Sequence, residues 1–111
     1  MNRPFGDDMT VLKLGSRYLS TVCDTQVMVI RTIQDALDLR CGGHPMVLAG
    51  GPAQRSAAPE PDFTGGTLIG KRYIDEADRI ELLCTKAGTG SLSLGARHLL
   101  VKQAKALPSS D

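Results

Sequence analysis

Three cysteines and two histidines are the residues of this sequence that could bind a metal or act as nucleophiles. Cys41 and His44 have the Cys-x-x-His spacing of a zinc knuckle, and Cys23 could supply a third ligand. The fourth ligand could be Cys84, His98 or water. Zinc accepts three cysteines and one histidine in a closed structural site, or three protein ligands and a water in an open one. A zinc site built on Cys23, Cys41 and His44 is therefore one hypothesis.

Other interpretations of the same residues remain open. Cys23 and Cys41 could form a disulfide, or one of them could be a reactive thiol, which requires a depressed thiol pKa. His44 and His98 could together bind an anion or act in acid–base catalysis, but the interpretation we favour is that each caps a turn. Because no Ser/His/Asp or Cys/His catalytic arrangement can be identified, we do not expect an enzyme activity.

The composition limits the size of the core and the class of partner. Hydrophobic residues make up 41% of the 111 residues, but only 4% are aromatic, so the core must be aliphatic. A chain of this length forms one compact domain or two very small lobes that share a core. With 13 basic and 12 acidic residues there is no basic excess, so we expect no nucleic-acid partner.

The compartment is predicted from what the sequence does not contain. No apolar run approaches the ~20 residues of a membrane helix, and the first residues do not resemble a signal peptide. An odd number of cysteines at irregular spacing argues against a secreted disulfide framework. We therefore expect a cytoplasmic protein without a membrane partner.

Short strands are predicted along the chain. β-branched residues favour a strand over 26–31, and the apolar alternation over 36–40 predicts another. Segment 41–46 is predicted as a tight knuckle, and the glycine-bearing segment 86–90 as a hairpin turn. Further strands are predicted over 46–48, 79–85, 91–94 and 98–102. Segment 103–107 has some helical propensity but is too short for a stable helix.

These elements divide the chain into five parts. Residues 1–10 are predicted as a flexible arm, 11–48 as the first lobe and 67–107 as a second β lobe. Residues 108–111 form a tail. Between the lobes, residues 49–66 contain three prolines and four glycines and are predicted as a linker. Phe63 is the apolar residue expected to anchor this linker to a lobe.

The two halves of the sequence resemble each other when Gly15 is aligned with Gly70 and the offset is kept constant. The pattern Gly-x-Arg-Tyr then recurs in register, at 15–18 and at 70–73. Shared apolar alternation does not explain a recurring glycine and tyrosine. With one residue deleted, His44 would match His98. Because neither half of about 50 residues can bury a full core alone, we expect the halves to pack face to face across a pseudo-two-fold axis.

Residues 18–46 resemble the desulforedoxin family, which includes the N-terminal domain of desulfoferrodoxin. That module has an aromatic residue before Cys-x-x-Cys, then a β segment, then Cys-Cys-Gly followed shortly by Pro-Met. In this sequence Tyr18 is the aromatic residue, and the four cysteine positions hold Ser20, Cys23, Cys41 and Gly42. The motif ends with Gly43, Pro45 and Met46.

The resemblance implies a rubredoxin-like fold, in which four thiolates of the family hold one iron. Two of those four are absent here, which puts the iron in doubt and implies a vestigial site. The second copy, within 69–102, has Asp75 and Ala96 at the positions compared with Ser20 and Cys41, so it carries no metal knuckle. We expect an all-β fold of two small desulforedoxin-like or rubredoxin-like lobes in tandem, packed as a pseudo-dimer.

The leading functional hypothesis is a non-catalytic accessory or interaction module, such as a small subunit of a larger bacterial enzyme, with a vestigial metal site and no cofactor. Its partner would be a larger protein, or a second copy in a homodimer. One alternative is a metal-binding protein that uses Cys23, Cys41 and His44 for structural zinc or, second, for redox iron. The other is a β protein that binds a small molecule in an aliphatic pocket between the lobes.

Overall fold

The computed structural model describes residues 9–50 and 58–102, and within them the protein is all-β, with two antiparallel sheets. Most of the predicted arm, part of the predicted linker and the C-terminal residues 103–111 lie outside the described residues. The strands of the first half are β1 (Arg17–Leu19), β2 (Gln26–Arg31), β3 (Leu39–Cys41), β4 (His44–Pro45) and β5 (Val47–Leu48). The strands of the second half are β6 (Arg72–Ile74), β7 (Glu81–Lys86), β8 (Leu92–Leu94), β9 (Arg97–His98) and β10 (Leu100–Val101).

Each sheet contains strands from both halves of the chain. The six-stranded sheet has the order β10-β6-β7-β2-β1-β5, and the four-stranded sheet has the order β4-β3-β8-β9. The halves therefore meet through the pairs β2–β7 and β3–β8. They join edge to edge in both sheets, in place of the face-to-face packing expected from the sequence. Edge-to-edge joining pairs the backbone groups of strands that would otherwise lie at open sheet edges.

The strand positions recur between the halves. β6 and β7 follow β1 and β2 at the offset that aligns Gly15 with Gly70, and the last three strands of each half also recur in order, at an offset shorter by two. Gly15 and Gly70 have nearly the same left-handed φ, +83° and +82°. Their amides donate to the carbonyl oxygens of Val29 and Cys84, each at 2.8 Å. The two halves thus fold the same local structure around the recurring Gly-x-Arg-Tyr pattern.

The register between the halves is symmetric. Met28 on β2 pairs with Leu83 on β7, which is its equivalent at the offset of the first two strands. Arg40 on β3 pairs with Ser93 on β8, which is its equivalent at the shorter offset of the last three strands. Two copies of one strand related by a two-fold axis pair in this way, with one residue opposite its own equivalent.

The core is aliphatic and draws on both halves. Its members are fully or almost fully removed from solvent, and they pack with the two recurring tyrosines, Tyr18 and Tyr73. The most buried aliphatic members are Leu12, Val27, Val29, Leu39, Ile80, Leu82 and Leu92. Burial of such side chains contributes about 1.5–3 kcal/mol each, which is the main favourable term for a domain of this size.

The prediction of a hairpin turn at segment 86–90 is wrong. β7 and β8 lie in different sheets, and the segment crosses from one sheet to the other. The second half forms its tight hairpin later, between β8 and β9, where Gly95 takes a left-handed φ of +57°. Gly88 and Gly90 let segment 86–90 pack closely against the first half.

Glu81 is a buried acidic residue at the start of β7, with cations from three neighbouring segments around it. Its carboxylate accepts hydrogen bonds from Lys102 Nζ at 3.0 Å, Arg72 Nη1 at 3.3 Å and Arg31 Nη2 at 3.4 Å. The hydrogen bond from Lys102 and the positive charges of all three hold the pKa of Glu81 below its ordinary value. This network ties β2, β6 and the end of β10 to β7.

We predict that Glu81→Gln lowers the free energy of unfolding by about 1–2 kcal/mol at neutral pH, because three donors lose a charged acceptor. A carboxyl whose folded-state pKa is lowered stabilises the fold above its unfolded pKa, and this contribution disappears as the pH falls through the folded-state pKa. The difference between the two proteins should therefore shrink in acid, as measured by urea denaturation. Glu76→Gln, at an exposed ion pair with Arg97, is the control and should change little. Equal stability of wild type and Glu81→Gln at neutral pH would contradict the prediction.

Candidate functional site

Two thiols and two hydroxyls lie together near the seam between the halves, which is formed by the pairs β2–β7 and β3–β8. Cys23 Sγ and Cys41 Sγ are 3.8 Å apart, and both cysteines are buried. Ser20 Oγ lies 3.4 Å and Thr25 Oγ1 lies 3.2 Å from Cys23 Sγ. We call Ser20, Cys23, Thr25 and Cys41 the thiol–hydroxyl cluster.

Ser20 shapes the turn that presents Cys23. Its Oγ accepts hydrogen bonds from the backbone amides of Val22 and Cys23, both at 3.1 Å. A short hydroxyl side chain often caps local amides in this manner and so fixes a turn. The turn follows β1 directly and brings Cys23 Sγ over the end of β3, where Cys41 lies.

The corresponding turn of the second half uses a carboxylate. Asp75 is the equivalent of Ser20, and its Oδ1 accepts from the amides of Arg79 at 2.6 Å and Ile80 at 3.2 Å. Burial raises the pKa of Asp75, but the hydrogen bonds and charge of Arg79 and the amide of Ile80 outweigh burial and lower it. Both halves therefore build a capped turn after their first strand, but only the first half places thiols beside it.

A chain of hydrogen bonds connects the second half to Cys23. The amide of Gly88 donates to Thr67 Oγ1 at 3.0 Å, and Thr67 Oγ1 lies 2.8 Å from Thr25 Oγ1. As a thiol, Cys23 donates from Sγ to Thr25 Oγ1 at 3.2 Å. Once Cys23 is ionised its sulfur can only accept, so the Thr25 proton can turn to Cys23 Sγ while Thr67 Oγ1 donates to Thr25. The amide of Gly90 adds a direct hydrogen bond to Cys23 Sγ at 3.3 Å.

Segment 86–90 lies so close to the first half that positions 88 and 90 have room only for glycine. A Cβ at Gly88 would lie 2.9 Å from Cys23 Sγ. A Cβ at Gly90 would lie 2.9 Å from the backbone nitrogen of Gly42 and 3.1 Å from Cys41 Sγ. Neither glycine has a left-handed φ, so space decides the residue type here. Sequence reasoning missed this role and the contacts of Thr25 and Thr67, because the Gly-x-Gly pattern alone resembles a surface turn.

The two thiols differ strongly in acidity. Burial raises the pKa of Cys23, but the hydrogen bonds from Ser20, Thr25 and Gly90 outweigh burial and lower it to about 7. Burial, followed by the charge of the neighbouring Cys23, raises the pKa of Cys41 to about 12. Cys23 is therefore the more acidic thiol of the pair, and Cys41 is the one that keeps its proton.

The other predicted ligands lie elsewhere. His44 Nε2 is 3.8 Å from Glu60 Oε2, and the His98 ring packs edge-on against Phe63, with ring centroids 4.6 Å apart. By strand position His44 corresponds to Arg97, so the two histidines are not symmetry equivalents. Cys84 is a buried core residue on β7 whose thiol donates to the carbonyl oxygen of Lys86.

Among residues 9–50 and 58–102 there is no group of three or more His, Cys, Asp or Glu side chains arranged to hold a metal ion. The four-thiolate iron site of the resembled family does not fit the cluster. Ser20 Oγ is already bonded to two amides, and Gly42 has no side chain and faces Gly90 closely. The three-ligand zinc site on Cys23, Cys41 and His44 stays a prediction.

Cys23 borders a surface cleft, whereas Cys41 has no exposed area. The cleft has a volume of ≈ 180 Å³ and is lined mainly by the turn after β1 and by the end of β7. Its lining residues are Leu19, Ser20, Cys23, Asp24, Thr25, Gln26 and Lys86. A small molecule therefore reaches the cluster from the Cys23 side.

A separate and larger apolar groove lies on the first half. Its volume is ≈ 640 Å³, and its walls are the segment before β1 and the segment that ends β2. The lining residues are Val11, Leu12, Leu14, Ile30, Arg31, Thr32, Ile33 and Gln34. Leu14 is 70% exposed and Val11 is 47% exposed, and both line this depression.

No protein-family model, curated protein or solved structure matches this chain. The similarity to the desulforedoxin family therefore remains a prediction from residues 18–46. Within the described residues, no helix is long and apolar enough to cross a membrane. Cytoplasmic location stays a prediction.

We predict that Cys23 titrates with a pKa of about 7 in a chain whose other two cysteines are replaced by serine, against an ordinary value of 9.0. Thiolate absorbance in the ultraviolet measures this directly. Thr25→Val should raise the midpoint, because it removes one donor to the thiolate. Thr89→Val, at an exposed position, is the matched control and should leave it unchanged. A midpoint at or above 9.0 would contradict the assignment.

We predict that Gly90→Ala lowers the free energy of unfolding by about 1–3 kcal/mol, because its Cβ forces apart the Gly42 backbone and Cys41. Thr89→Ala changes the exposed neighbouring residue and should stay within about 0.5 kcal/mol of wild type. Urea denaturation compares the three proteins. If the two variants are equally stable, segment 86–90 does not pack against the cluster as described.

Proposed function

We propose that this protein is a non-catalytic interaction module, a small accessory subunit that docks on a larger protein through its apolar groove. The observation that carries the proposal is the exposure of Val11 and Leu14 on a groove large enough to receive side chains of a partner. Contiguous exposed apolar surface on a small protein typically marks an interaction site, because its burial contributes about 25 cal/mol per Å².

The groove has a polar border as well as an apolar floor. Arg31 is one of its lining residues, and it is half exposed and paired with Asp78 and Glu81. Apolar centres with polar margins are the usual anatomy of protein–protein interfaces. The groove is therefore better suited to a protein surface than to a fully apolar ligand.

The groove belongs to one half only, for a reason that the strand positions explain. Seven residues connect β2 to β3, whereas five connect β7 to β8. The longer connection includes Thr32, Ile33 and Gln34, which form one wall of the groove. The shorter connection contains Gly88 and Gly90 and packs against the thiol–hydroxyl cluster instead. The equivalent connections of the two halves thus differ in length and in what they pack against.

We also propose that the halves are duplicated desulforedoxin-like modules. The duplication is supported by the symmetric register of β2 with β7 and of β3 with β8, together with the matched left-handed glycines Gly15 and Gly70. The likeness to desulforedoxin is supported by the sequence motif over residues 18–46 alone. In this interpretation the former metal knuckle of the first half has become a joint between the modules.

We predict that Leu14→Lys abolishes co-purification with a single stoichiometric larger partner from the native host, because it places a charge in the groove. Ile69→Lys is the matched control: Ile69 is the equivalent of Leu14 in the second half, is 66% exposed and does not line the groove. The control variant should retain the partner. Loss of the partner in both variants, or in neither, would contradict docking at the groove. If sedimentation detects a dimer that Leu14→Lys dissociates, the partner is a second copy of this chain.

Two other hypotheses remain as separate proposals. A zinc protein using Cys23, Cys41 and His44 is favoured by the 3.8 Å between the two sulfurs, since two thiolates about 2.3 Å from one tetrahedral zinc are separated by about 3.8 Å. The other hypothesis is a protein that binds a small molecule in an aliphatic pocket between the lobes. The groove lies on the first half instead, and its volume of ≈ 640 Å³ is within the range of ligand pockets.

A further inference from the structure

We infer that Cys23 and Cys41 form a reversible dithiol–disulfide pair, in which a small hydroperoxide oxidises Cys23 through the surface cleft and Cys41 then resolves the product. This inference concerns the thiol–hydroxyl cluster and is independent of the apolar groove. It rests on the distance between the sulfurs, on the donors around Cys23 and on the different access to the two thiols.

The two sulfurs are close enough to bond after a small movement. Their separation of 3.8 Å must shorten to the ~2.05 Å of a disulfide. Cys41 ends β3 and Cys23 lies on the turn after β1, so the turn can supply the movement while the strand stays paired. The third cysteine, Cys84, lies on β7 and contacts the Lys86 carbonyl rather than the pair.

The cluster retains polar groups where equivalent positions hold apolar ones. Thr25 and Thr67 share a buried hydrogen bond, and their equivalents in the opposite halves are Ile80 and Leu12 respectively. Ile80 and Leu12 are both buried members of the core. An apolar pair is thus accommodated at the equivalent place, and packing alone does not require hydroxyls. The Thr25 hydroxyl accepts from the Cys23 thiol at 3.2 Å, and when Cys23 ionises it can turn its proton to Sγ and stabilise the sulfur anion during attack.

The order of events follows from access. Cys23 lines the cleft of ≈ 180 Å³, which admits a hydroperoxide but is small for a bulky disulfide reagent. Cys41 has no exposed area, and its sulfur lies 3.8 Å from that of Cys23. Cys23 is therefore the attacking residue and Cys41 the resolving residue, the arrangement typical of thiol redox sites.

Oxidation of the two thiols to a disulfide takes two steps. Cys23 sulfur attacks one oxygen of the hydroperoxide, the O–O bond breaks, and the other oxygen leaves as an alcohol, or as water from hydrogen peroxide, after taking up a proton. Cys23 is then a sulfenic acid. Cys41 sulfur attacks Cys23 sulfur, the S–O bond breaks, and the hydroxyl leaves with the Cys41 proton as water. Two thiols have lost two electrons, and the hydroperoxide has gained them.

The test uses the full chain and hydrogen peroxide as the probe. We expect the oxidised protein to lose two hydrogens by intact mass, to retain one alkylatable thiol at Cys84, and to yield one peptide pair linked between Cys23 and Cys41. A small dithiol should restore all three thiols. Three free thiols after treatment, or a disulfide that involves Cys84 or a second chain, would overturn the inference.

Variants separate the two roles. Cys41→Ser should stop at a sulfenic acid on Cys23, detected with a sulfenic-acid-specific reagent, whereas Cys23→Ser should remain reduced at the same dose. Cys84→Ala is the control and should oxidise like wild type. Thr25→Val should slow oxidation about tenfold, because it removes one donor to the sulfur. An unchanged rate in Thr25→Val would show that the hydroxyl has no such role and would overturn that part of the inference.

Elemental analysis of the untreated protein distinguishes this pair from a metal site. We expect no stoichiometric zinc or iron, and full reactivity of both thiols in metal-free buffer. About one metal per chain that protects both thiols from peroxide would overturn it and favour the zinc hypothesis.

Discussion

The fold depends on the antiparallel pairing of β2 with β7, because this pair joins the two halves at the centre of the six-stranded sheet. Each half contributes only five short strands, too few to enclose a core alone. Pairing β2 with β7 extends the sheet and aligns Val27, Val29 and Leu82 on one buried face. The second join, β3 with β8, closes the core from the other side. Stability of either half therefore requires the other.

The connections after β2 and β7 differ in length and pack differently in the two halves. In the first half the longer connection stays at the surface and forms a wall of the groove. In the second half the shorter connection turns inward, and two positions without side chains let its backbone amides reach Thr67 and Cys23. The longer connection thus adds a wall to the groove, and the shorter one adds a backbone donor to Cys23 of the thiol–hydroxyl cluster.

Much of the fold could be predicted from local pattern, and little of the site could. β-branched residues identified β2, and the recurring Gly-x-Arg-Tyr identified equivalent turns, because both signals are carried by neighbours in the chain. The thiol–hydroxyl cluster also has hydrogen-bond partners in the second half. Thr67 and Gly90 lie far from Cys23 in the sequence. No spacing rule links such positions. The hairpin expected at 86–90 failed for the same reason, since a glycine needed for close approach and one needed for a turn look alike in sequence.

The position of Cys23 and Cys41 at the seam couples their chemistry to the fold. Gly90 donates to Cys23 Sγ from the second half, while Ser20 holds the turn from the first, so the environment of the thiol exists only when the halves are joined. A thiol in a separate first half would lack the Gly90 amide and the Thr67–Thr25 hydrogen bond. Joining of the halves therefore adds the Gly90 hydrogen bond, which lowers the pKa of Cys23. The polar groups of such a buried cluster all have hydrogen-bond partners in one arrangement of the two halves and lose some of them in others. The cluster therefore specifies that arrangement as well as stabilising it.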